Sequence, residues 1–159
     1  MKKIILILLC IVSIGAKAQS VYGNGNTSPY FGKYPIVNIA KVTAVTIATH
    51  TLPTTNLKIM ATGNLNGTKV EWVKFSADSV AAAGLGFVAI SDSTGSNPQY
   101  FGGAAITATN VSTTSAGAEV WLTFSSPPLI LHSGQKLYAG VTVLGSGSNV
   151  AVTTQIFDY

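Results

Sequence analysis

From residue 36 to the end of the chain, apolar and mostly β-branched residues recur at every second position. Clusters of Gly, Pro, Asn, Asp and Ser interrupt them at intervals of about eight to twelve residues. No stretch of any length keeps the 3.6-residue apolar period of an amphipathic helix. A chain built this way has few folding solutions, because each strand buries only one face and must find a second sheet to cover it. The expected fold is all-β: an antiparallel two-sheet β-sandwich of about eight or nine strands with no helix of consequence.

Val37, Ile39, Val45 and Ile47 share one phase, which predicts a long strand or two strands broken near Lys41. A short element around Leu57 and Ile59 is followed by Asn66-Gly67, a hairpin signal because both residues tolerate positive φ. Residues 70–75 form an interior strand, with Val70 and Trp72 assigned to one face and Val73 and Phe75 to the other. Ala81-Ala82-Ala83 reads as a helical turn, and 85–90 is the most continuous apolar strand. Two weaker strands, 99–101 and 104–109, precede a strong one over 119–124. Pro127-Pro128 interrupts pairing before a short strand at 129–131. Residues 136–144 alternate with Leu137, Ala139, Val141 and Val143 inward and Tyr138 and Thr142 outward, and the last strand carries Val150, Val152 and Ile156.

The beginning of the chain has a different character. Lys2 and Lys3 precede an apolar run over 4–14, and Ala16-Lys17-Ala18 stands as a small-residue cleavage site before Gln19. This is the pattern of a secretory signal peptide over 1–18, and it predicts a secreted or cell-surface location, with the periplasm as a further stop. Cys10, the only cysteine, lies inside that leader, so the exported chain holds no disulfide and relies on packing. Residues 19–35 then form an arm rich in Gly, Asn, Ser and Pro that carries Tyr22, Tyr30, Phe31 and Tyr34. Such a segment is a flexible lead-in or an assembly arm that orders when its rings dock. The sandwich domain is expected over 36–159.

The leader also accounts for most of the charge. The whole chain has nine lysines, no arginine and five acids, for a net +4. Without Lys2, Lys3 and Lys17 six lysines face five acids, which removes the case for nucleic acid as a partner. The lack of arginine, the usual donor of paired bonds to phosphate and guanine, removes more of it. Charged residues make up 9% of the chain against a usual quarter. A surface so neutral offers little repulsion between copies and suits self-association or contact with extracellular glycan or protein. No apolar run after the leader is long enough for a membrane-spanning helix.

One resemblance is carried by the order of strands and turns. Leu85-Gly86-Phe87-Val88-Ala89-Ile90-Ser91-Asp92-Ser93 leads to Asn97-Pro98, then to Trp121-Leu122-Thr123-Phe124. The run from Pro128 through Leu131, Gly134 and Tyr138 to Val141 follows. Over residues 57–144 this resembles the jelly-roll modules of secreted bacterial and phage proteins, a group that includes carbohydrate-binding modules. The resemblance implies a non-catalytic binding or structural appendage, commonly acting on glycans, and carries over no binding residue by position.

The residues that could carry chemistry are few. Glu71 and Glu119 are the only carboxylate pair that could serve a glycoside hydrolase, whose acids stand about 5–10 Å apart. No recognised spacing links them, acids on strands ordinarily face water, and no serine elbow is present elsewhere, so no enzymatic activity is expected. The loop Asp92-Ser93-Thr94-Gly95-Ser96-Asn97 offers oxygen ligands that Ca²⁺ could use, but a single carboxylate favours a hydrogen-bonded turn, and no cofactor is expected. His50 and His132 have no partner at ligand spacing. Aromatic rings are the better lead to a ligand site. Tyr100 and Phe101, beside the loop with Asp92 and Asn97, are expected to be the exposed pair, and Trp72 and Trp121 to fill the core.

Overall fold

The computed structural model describes residues 35–48, 50, 52–110, 117–145, 147 and 149–159. The leader and the arm residues Tyr22, Tyr30, Phe31 and Tyr34 lie outside the described residues. The described chain is all-β, with strands β1 (Pro35–Val42), β2 (Lys58–Thr62), β3 (Thr68–Ala77), β4 (Gly84–Ile90) and β5 (Gln99–Ile106). They are followed by β6 (Ala118–Thr123), β7 (Leu129–Leu131), β8 (Lys136–Val141) and β9 (Val150–Asp158). Two antiparallel sheets form, one in the order β1-β9-β3-β6 with the short β7 also on β3, the other β2-β8-β4-β5. Setting β7 aside, successive strands alternate between the sheets except for the adjacent pair β4–β5, the arrangement of a jelly roll. Among the described residues no helix is long and apolar enough to cross a membrane.

The period-two pattern explains the main core. Val42, Val70, Val73, Phe75, Val150, Val152 and Ile156 of the five-stranded sheet meet Met60, Val88, Leu137, Ala139 and Val141 of the four-stranded one. Gly86 on β4 leaves room for the Phe75 ring, since a Cβ there would lie 2.8 Å from the ring carbon. A second cluster sits on the opposite face of the four-stranded sheet. There Leu52 and Leu57, from the long connection between β1 and β2, cover Phe87, Ala89 and Tyr138. The four-stranded sheet is thus covered on both faces, which is why β4 reads as continuously apolar. Tyr138 does point away from the main core, as its phase predicts, yet is only 5% exposed beneath this cover.

Several local expectations are corrected. β1 ends at Val42, and Val45 and Ile47 are exposed outside any strand. Within β1, Ala40 and Val42 join the core and Asn38 donates to the Met60 carbonyl at 2.8 Å, so Val37 and Ile39 face solvent. Asn66-Gly67 does make a turn, with Gly67 at φ 102°, but it carries the chain from β2 in one sheet to β3 in the other and closes no hairpin. The strands expected over 99–101 and 104–109 are one strand that ends at Ile106, with Phe101 the extra residue of a bulge opposite Val88 and Ala89. Ala81-Ala82-Ala83 is a bend after the Val80–Thr109 bridge.

Candidate functional site

The two tryptophans occupy the solvent face of the five-stranded sheet, not the core. β3 shifts register between Val70 and Trp72, leaving Glu71 as the extra residue of a bulge. The bulge resets the alternation, so Val70, Val73 and Phe75 all point inward while Trp72, Lys74 and Ser76 point outward. On the neighbouring β6, Ala118 is buried and Val120 and Leu122 pack on the core, which turns Glu119, Trp121 and Thr123 outward. β9 adds Thr153, Gln155 and Phe157 to the same face by alternating with Val152, Thr154 and Ile156.

Register then fixes what lies beside what. Trp72 stands between Gln155 and Thr123, and Lys74 between Thr153 and Trp121. The indole N–H of Trp72 donates to Gln155 Oε1 at 2.9 Å, which orients the ring. Trp121 meets Trp72 edge to face, with ring centroids 4.9 Å apart and planes at 63°. Lys74 Nζ lies 5.2 Å from the Trp121 ring centroid and donates to Glu119 Oε1 at 2.9 Å. Trp121 is 49% exposed, so a large apolar ring packed against Trp72 and Lys74 of β3 still meets water. Farther along the face Lys69 lies 5.9 Å from the Phe157 ring and pairs with Glu71 at 3.0 Å.

This geometry bears on the two acids. Glu119 stands opposite Ser76 and Glu71 five residues along the same strand, so their backbone positions are roughly 16 Å apart. Each carboxylate is bound to its own lysine. The hydrogen bond and charge of Lys74, with help from Ser76, hold the Glu119 carboxyl below its ordinary value, the opposite of what a proton-donating acid requires.

Of the four residues expected to form a ligand site, Asp92 and Asn97 are hydrogen-bonded to each other, while Tyr100 and Phe101 point to opposite sides of β5. Phe101 is 49% exposed and contacts Phe124 across the β5–β6 side at 5.9 Å. Tyr100 points the other way, half-buried against Phe87 under the β1–β2 connection, and donates its backbone N–H to the His50 carbonyl. Asp92 serves its own loop: its carboxylate accepts from the Thr94 hydroxyl and N–H, the Ser96 N–H and the Asn97 amide at 2.6–3.0 Å. Those bonds, led by the Thr94 hydroxyl, lower its pKa to about 2. Asn97, at φ 50°, borders an open cleft of about 460 Å³ with Leu52, Pro98 and Tyr138, whose hydroxyl donates to the Gly95 carbonyl. Among the described residues no three His, Cys, Asp or Glu side chains stand together as a metal-binding group.

Sequence reasoning does not find the tryptophan face, because large aromatics on strong strands ordinarily fill the space between sheets. For Trp121 the corrective signal is present in the sequence, since it shares its phase with Glu119 and Thr123. Compared with known proteins, the chain matches no family model and no curated protein.

Proposed function

We propose that this chain is an exported, non-catalytic contact module, a structural or adhesive appendage that works through the outer face of its five-stranded sheet. The observation that carries the reading is the ordered tryptophan pair on a solvent face. Large exposed rings cost free energy in water unless a partner covers them, and here polar neighbours fix the rings instead of burying them. Most of the other described aromatic side chains are packed against the clusters or against one another.

Within this reading, the ligand class that suits the face is a pyranose-containing glycan. A half-exposed indole offers an apolar plane for the C–H face of a sugar, and Gln155, Glu119 and Lys74 around it present donors and an acceptor for hydroxyls. The surface is a flat sheet, which fits a stretch of polysaccharide better than a small enclosed ligand. A glycan array probed with the wild-type chain and with Trp121→Ala tests this. Wild type is expected to bind at least one polysaccharide, and Trp121→Ala to lose about 30-fold or more in affinity, the scale of a central tryptophan contact. An array without hits, or hits indifferent to Trp121→Ala, counts against it.

A further inference from the structure

The same five-stranded sheet ends at β1, beside whose far edge no strand lies among the described residues. Among the described residues the only backbone partner of β1 is β9, in register from Pro35↔Phe157 to Val42↔Val150. Proteins ordinarily protect such an edge by shortening it, bulging it, charging it or placing proline within it. β1 is eight residues long and pairs without a register shift, and its central stretch Ile36-Val37-Asn38-Ile39-Ala40 has neither charge nor proline. The edge strands of the other sheet, β2 and β5, both carry bulges. β1 also adds an exposed apolar surface to its open backbone, with Val37 54% and Ile39 72% exposed. Of the ten exposed large apolar side chains described, six lie on β1, on β2 or in the segment joining them. Residues 35–159 contain five lysines and five acids, so two copies approach without net repulsion.

We propose that β1 is a self-pairing edge: two copies join β1 to β1 antiparallel, about a two-fold axis normal to the sheet, and form one continuous sheet. An antiparallel strand edge is its own complement, so one surface serves both copies and the contact closes as a dimer. Centred on Asn38, the pairing sets Val37 of one copy opposite Ile39 of the other and Lys41 opposite Pro35. Both exposed apolar residues then become cross-strand pairs. The two-fold axis keeps both tryptophan faces on the same side, with the two Trp72 positions five strand spacings, roughly 24 Å, apart. That arrangement makes the contact surface bivalent, which strengthens attachment to a repetitive partner without new contacts. The pairing stands on the β1 edge and is independent of the ligand proposed for the tryptophans.

Light scattering on the purified chain over a concentration series tests it, with wild type, Ile39→Lys and Trp121→Ala compared. Wild type and Trp121→Ala are expected to give the dimer mass. Ile39→Lys is expected to give the monomer mass, with a dimer dissociation constant raised more than about tenfold, because it sets a lysine from each copy beside the shared seam. Ile39 is exposed, so the variant should keep the wild-type unfolding midpoint of the monomer. A wild type that stays monomeric, including one whose β1 amides are protected from exchange by its own arm, overturns the pairing. So does Ile39→Lys retaining the dimer mass, or dissociation caused by Trp121→Ala.

Discussion

A methyl group at Gly86 would stand 2.8 Å from a ring carbon of Phe75, and Phe75 is 1% exposed with no room to retreat. Gly86→Ala should therefore lower stability by roughly 1–3 kcal/mol, the range for forcing extra volume into a packed core, read from the urea midpoint. At Asp92 the effect is one of protons. Its folded pKa of about 2 lies below the ordinary 3.8, so its contribution is present above about pH 4 and is lost as pH falls toward 2. Asp92→Asn should weaken the fold at neutral pH and flatten the loss of stability between pH 4 and 2; an unchanged acid slope would contradict the role given to the loop. These two residues differ in how visible they were. Asp92 and Asn97 announce a turn by residue type alone, whereas nothing local to Gly86 reveals that a phenylalanine from the other sheet lies over it.

Strands were legible wherever the alternation ran undisturbed, as in β8 and β9, and misread wherever one residue broke the count. Glu71 is the clearest instance: a single bulged residue reassigns Trp72 from core to surface, and period-two reading has no means to detect it. The connection 43–57 is another. It contributes Leu52 and Leu57 to a second apolar layer without being a strand, so its apolar residues at 45 and 47 mimic one. Leu57→Ala should open that layer and cost about 2–5 kcal/mol in urea unfolding, as buried leucine truncations do. The same variant should speed hydrogen exchange of the β8 amides beneath it relative to those of β9. Equal exchange in both strands would show that the connection does not act as a cover.

At the scale of the whole molecule, the two-sheet architecture followed from pattern and punctuation, while the pairing order did not, because partners such as β3 and β9 lie some eighty residues apart. The working surface is the least legible part, since it is assembled from three strands and exists only once the register is set. The Trp72–Trp121 face is the surface through which the proposed module makes its contacts. Titration of the intrinsic tryptophan emission with the glycan selected on the array tests this most directly, in wild type, Trp121→Ala and Phe101→Ala. A saturable change in wild type that persists in Phe101→Ala and disappears with binding in Trp121→Ala is the predicted result. Binding that leaves the tryptophan emission untouched, or that survives Trp121→Ala and fails in Phe101→Ala, would contradict it.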